Sequence, residues 1–129
     1  MDFIDCLKDS INKIPNLPVS LKKGYLLEDE SLVLYPLPGG IDLHVYYDGS
    51  KVQQLNYGID MKSRDGNKVE QVLEFITNYL DGEEINVISR DGSFEFNSIN
   101  ISNKPFIDDA YEQGWLVFRL TIQAKITIN

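Results

Sequence analysis

Residues 114–129 read GWLVFRLTIQAKITIN, and from Leu116 onward every second side chain is apolar: Leu116, Phe118, Leu120, Ile122, Ala124, Ile126 and Ile128. A period of two sustained this long is a strand with one face turned into a core. The opposite face opens with Trp115 and Val117 and then turns polar at Arg119, Thr121, Gln123, Lys125 and Thr127. One very long strand of this kind sets the fold class, because the rest of the chain must supply a sheet around it and something apolar over it.

Upstream, Pro105 to Gln113 reads as a loop or single helical turn that delivers Gly114 to the last strand. Before it, SFEFNSINIS places Phe94 and Phe96 at even positions but Ile99 and Ile101 at odd ones, so one inward face requires a β-bulge near Asn97 and Ser98. INVIS (85–89) reads as a short strand turned by Asp91-Gly92. In RDGNKVEQVLEFITNYLDGEE the period changes to helical: Val69, Val72, Leu73, Ile76 and Leu80 form one stripe, Asn67 and Glu70 make a capping-box-like pair, and Gly82 stops the helix.

Toward the N-terminus, Leu55, Tyr57, Ile59 and Met61 alternate inward, and Asp48-Gly49 is a hairpin signal. IDLHVYY before it sets Ile41, Leu43, Val45 and Tyr47 on one face and Asp42, His44 and Tyr46 on the other. PLPGG reads as an irregular turn after a strand, SLVLYP, that ends at Pro36. Residues 15–30 read mainly as a surface connection that Leu26 and Leu27 anchor. Phe3, Ile4, Leu7, Ile11 and Ile14 repeat at helical spacing until Pro15 stops the pattern. The order is helix, three strands, helix, three strands: an α+β fold of about six strands, mainly antiparallel or mixed, with two main helices on one face. With no repeat or composition shift, residues 1–129 form one domain, divided as 1–30 (helix and connection), 31–64 (three strands), 67–81 (helix) and 84–129 (C-terminal strands).

Twelve basic against twenty acidic residues give a net charge of −8, which opposes tight binding to a phosphate backbone. MDFIDCLKDSINKIP has neither the charge pattern of a secretory signal nor the length of a membrane span, and the single Cys6 reads as a small buried side chain. No nucleotide loop, nucleophile elbow or zinc-peptidase pattern is present. His44 is the one histidine, and the acidic runs Glu28-Asp29-Glu30 and Asp108-Asp109 lack metal-loop spacing, so no catalytic residue, metal or cofactor is indicated. The aromatic side chains that one core does not absorb are the remaining signal, since Tyr and Trp are favoured at protein interfaces.

LVLYPLPGGIDLHVYYDGSKVQQLNYGI, then a helix, then FEFNSINISNKPFIDDAYEQGWLVFRLTIQAKI resembles the minor capsid proteins of tailed phages and prophages of Gram-positive bacteria, a group that in turn resembles the tail terminator, or tail-completion, proteins. The likeness lies in the order of elements, the PLPGG turn, the Tyr-Asp-Gly hairpin and the Gly-Trp pair before the last strand. It implies a structural virion protein, not an enzyme, made in the host cytoplasm and placed at the head-tail junction. It also implies a ring, a hexamer, that caps the tail tube and touches the tail tube protein and a neck or stopper protein, with DNA passing through unbound and no membrane involved. The candidate interface residues are Tyr35, Pro36, Pro38, Tyr46, Tyr47, Trp115, Val117 and Arg119. The alternatives are another neck component, an adaptor or stopper, and a small α+β ligand-binding or enzymatic domain with a pocket holding His44 and a carboxylate.

Overall fold

The computed structural model describes residues 2–82, 85–103, 106–108 and 114–128. Its elements are α1 (Phe3–Asn12), β1 (Leu21–Lys23), β2 (Ser31–Val45), β3 (Lys51–Ser63), α2 (Gly66–Asp81), β4 (Phe94–Ile101), β5 (Phe106–Asp108) and β6 (Leu116–Ile128). The closing alternation is thus one strand, and it lies inside the sheet. One edge of β6 pairs with β3 from Ser63↔Leu116 to Lys51↔Ile128, and the other pairs with β5 and β4. The strand order is β1-β2-β3-β6-β4, with β5 also on β6. Every pair is antiparallel except β1 with β2, which makes the sheet mixed.

The core face is the one that parity assigns. Phe118, Leu120, Ile122, Ala124 and Ile126 are buried with Tyr57, Ile59 and Met61 against Phe3, Leu7 and Ile11 of α1 and Val69, Val72, Ile76 and Leu80 of α2. Phe3 sits edge-on to Phe94 at 5.1 Å and tilted to Tyr57 at 5.6 Å, joining α1 to both halves of the sheet. Cys6 is buried on the same helix face. The register of β4 on β6 shifts between Phe96 and Ser98, so the bulge brings Phe94, Phe96, Ile99 and Ile101 to one side despite their change of parity.

Several local readings are corrected by the structure. PLPGG does not end a strand: β2 runs through it, so residues 31–64 hold two long strands rather than three. The carbonyl of Leu34 points to the outer edge, where it accepts the Gly24 N–H at 3.0 Å. Pro36 has the same parity, so its missing N–H falls on that edge and subtracts nothing from the ladder to β3. The strand is irregular at two register shifts, one between Leu37 and Ile41, where Gly39 takes φ +98° and the Asn56 amide donates to the Pro38 carbonyl at 3.1 Å, and one between Asp42 and His44.

The connection over 15–30 contains β1, where the Leu21 N–H and C=O are both held by the side-chain amide of Asn12 at 2.7 and 3.0 Å. That amide acts as a neighbouring strand would. Leu27, read as an anchor, is exposed. INVIS forms no strand; Val87 is buried and Ile88 exposed. The cap of α2 is Asp65, whose carboxylate accepts the Lys68 N–H at 3.2 Å, which places Asn67 and Glu70 inside the helix rather than at its cap. Of the loop read over Pro105 to Gln113, Phe106–Asp108 pair as β5, and the remainder lies outside the described residues.

Candidate functional site

Two neighbourhoods hold the eight candidate residues. The first is an arm formed by the distal halves of β2 and β3. Its turn is closed by the Tyr46 N–H on the Ser50 carbonyl at 2.8 Å, by Asp48 accepting from the Ser50 N–H and hydroxyl, and by Gly49 at φ +89°. The helices do not cover the distal part of β2: Ile41, Leu43 and Val45 are exposed, and Tyr47 stands wholly in solvent beside a half-exposed Tyr46. The single apolar face read in IDLHVYY is not kept: a register shift between Asp42 and His44 sets Ile41, opposite Gln54, and Val45, opposite Lys51, on different faces of the sheet, and the strand ends at Val45. Pro36 and Pro38 lie exposed at the root of the arm, and His44 packs edge-on against Tyr46 at 4.4 Å rather than in an enclosed pocket with a carboxylate.

The second neighbourhood is the sheet face opposite the helices. The Tyr35 ring lies across Gly58, and its hydroxyl donates to Asp60 at 2.9 Å. Tyr25 stacks on Tyr35 at 5.4 Å, and Arg119 is the cross-strand neighbour of Asp60. Together with Leu26, Leu27 and Lys62 they line an open cavity of about 490 Å³. Trp115 lies beside it, with the Lys62 ammonium 4.8 Å and the Arg64 guanidinium 4.7 Å from its ring centre. Lys62 also donates to the carbonyls of Leu27 and Glu28, fastening the 25–30 segment to the sheet. Val117 is 1% exposed; it packs within the subunit and offers no surface to a partner.

Asp60 is the unusual group here. It is almost wholly buried, and one of its carboxylate oxygens has no hydrogen-bond partner. Burial pushes its pKa above the usual 3.8, against the opposing pull of the Tyr35 hydroxyl and the Arg119 charge. Burial and the adjacent carboxylate push the Tyr35 phenol up to about 12. A carboxyl with a raised folded pKa holds its proton longer in the native state than in the unfolded chain. Its contribution to stability therefore declines as pH rises from 3.8 through the folded value. Asp60→Asn is expected to gain on the parent protein as pH rises from about 4 to about 7, read from urea midpoints; a difference independent of pH would show that Asp60 does not titrate in this way.

Sequence reasoning missed Asp60 because a polar residue between Ile59 and Met61 reads as solvent-facing. Gly58 inside a strand was the available signal, since such glycines mark close approach by another group. Among the described residues no three His, Cys, Asp or Glu side chains are grouped to hold a metal, and no helix is long and apolar enough to cross a membrane.

The profile of a family described as bacteriophage tail terminator protein matches residues 16–128. No curated protein matches the chain. Among solved structures, a chain from the virion of a native gene transfer agent particle has a similar fold, with a TM-score of 0.62 at 8% identity over 92% of this chain and 90% of that one. The matched span takes in the arm, the uncovered sheet face and all six strands, and on it this chain belongs to the bacteriophage tail terminator family.

Proposed function

We propose that this protein closes the head-proximal end of a phage tail tube as a ring and joins the tail to the neck of the DNA-filled head. The observation that carries the reading is the family match across residues 16–128. The similarity of the fold to a chain from a gene transfer agent virion supports it. So does the arm, whose exposed Ile41, Leu43, Val45, Tyr46 and Tyr47 suit repeated protein contacts. The partners are further copies of the chain in a hexameric ring, the tail tube protein and a neck or stopper protein. A net charge of −8 suits a ring that lets DNA pass without holding it. In this reading the work is done by contact surfaces, with no chemical step and no cofactor, and the protein is made in the host cytoplasm before it joins the virion.

Of the eight candidate residues, Pro36, Pro38, Tyr46 and Tyr47 serve this role from the arm, and Trp115 and Arg119 serve it from the uncovered face. Tyr35 supports them by holding that face together. Deleting the gene in an intact phage is expected to leave filled heads apart from tails of irregular length, seen by electron microscopy. Normal joined particles would overturn the proposal, and cross-links in wild-type particles to neck proteins but never to the tail tube subunit would reassign the protein to the neck.

A further inference from the structure

The helix layer and the opposite face of the sheet carry opposite charge. Glu70, Glu74 and Asp81 of α2 are exposed at i, i+4 and i+11, a spacing that lines them along one stripe, roughly 16 Å long, on the side of the helix turned from the sheet. Lys68 is the one cation of that helix, and Glu30 holds it at 3.1 Å. Across the sheet the charges are basic: Lys62, Arg64 and Arg119 gather near Trp115, and Lys125 continues the row toward the arm. Arg64 stands four positions beyond Asp60, the rung on which Arg119 lies, so these three cations span roughly 13 Å. Of the carboxylates around them, Asp60 is held by Tyr35, Asp65 by the Lys68 N–H and Glu30 by Ser63 and Lys68, while Glu28 stands at the rim.

These cations are positioned before any partner arrives. Lys62 is tied to the carbonyls of Leu27 and Glu28, it shares the Trp115 ring with Arg64, and Arg119 has Asp60 across the ladder. Side chains already fixed lose little freedom on binding. Trp, Tyr and Arg are also the residues that carry most interface energy, and here Trp115 is half-buried while Tyr25, on the same face, is exposed. A net charge of −8 sets most surfaces of two copies against each other; the basic face is where acid from a second copy is drawn in. Symmetry then decides between modes of self-contact. A closed ring of more than two copies needs a heterologous interface joining two different surfaces, whereas helix layer on helix layer, or basic face on basic face, would set like charges together and end at a dimer.

We propose that the acidic stripe of α2 in one copy docks on the patch formed by Lys62, Arg64, Trp115 and Arg119 of the next, so that the subunits follow one another helix layer to sheet face. This rests on the ring reading above and names the surfaces that would close it. The test places a photo-cross-linking phenylalanine derivative at the exposed position 78, between Glu74 and Asp81, which leaves the stripe's charges intact. Isotope-labelled and unlabelled copies of the full chain are mixed, and products are mapped by mass spectrometry with the protein alone and on tail tubes. Cross-links between copies from position 78 to residues 58–64 or 115–121 are the expected result. Rings whose cross-links from that position fall elsewhere, on the chain or on the tail tube protein, would overturn this interface while leaving the ring intact, and no self-association under either condition would overturn both. Glu70→Lys with Glu74→Lys should leave the thermal melt of the monomer unchanged and weaken self-association by about tenfold or more, and adding Arg64→Glu should recover part of the loss. Undiminished association in the first variant, or no recovery in the second, would also refute the interface.

Discussion

Phe118→Ala is expected to remove about 3–5 kcal/mol of stability. The ring is fully buried at the centre of β6, with Met61 of β3 as its partner on one side and Ile107 of β5 on the other. Neither neighbour can collapse into the space, because both are fixed by their own ladders, so the cavity adds to the lost transfer energy. Domains of this size hold about 5–15 kcal/mol in total, which makes the variant marginal at physiological temperature. Urea unfolding followed by circular dichroism measures it. Tyr47→Ala on the arm is the control and should shift stability by less than about 0.5 kcal/mol; equal losses at the two sites would refute the placement of the core.

The second large effect belongs to a glycine. A Cβ on Gly58 would lie 2.5 Å from the Tyr35 Cζ, so the ring must swing away and its hydroxyl must release Asp60. Asp60 already has one oxygen without a partner, and losing the other bond leaves a buried carboxyl without any. Gly58→Ala is accordingly expected to destabilise by about 1.5–3 kcal/mol. It should also lower the Tyr35 titration from about 12 toward the ordinary 10.0, followed by ultraviolet absorbance. In a Tyr35→Ala background the obstruction is gone, and the same substitution should change stability by less than about 0.5 kcal/mol. An equal cost in both backgrounds would place the defect in the backbone instead.

Alternation made the inward faces of β3 and β6 legible from the sequence, and the conflict of parity between Phe96 and Ile99 located a bulge to within a residue. Those signals succeed because side-chain direction in a strand is fixed by position alone. PLPGG misled because proline and glycine mark a turn only when the lost donor is needed by the ladder, and here Pro36 faces an open edge. Ile41, Leu43 and Val45 misled for a related reason: an apolar strand residue is buried only if something lies over it, and the helices stop short of the arm. The Asn12 clasp on Leu21 and the Tyr35 to Asp60 bond had no sequence signal, because each joins a side chain to a partner whose proximity is created by the tertiary fold.

The central ladder has a consequence for how the molecule comes together. Ser63 of β3 meets Leu116 of β6 only across the whole of α2, β4 and β5, and every further rung between these strands spans a still longer loop. The entropy of closing that loop is lost before the first rung is made, which places this topology among the slow, non-local folders. Until that closure, β3 has no partner along one edge and the apolar faces of α1 and α2 have only the β1–β3 part of their floor. The same strand pair that fixes the finished subunit therefore sets the interval during which the nascent chain is most exposed to misassembly with its neighbours.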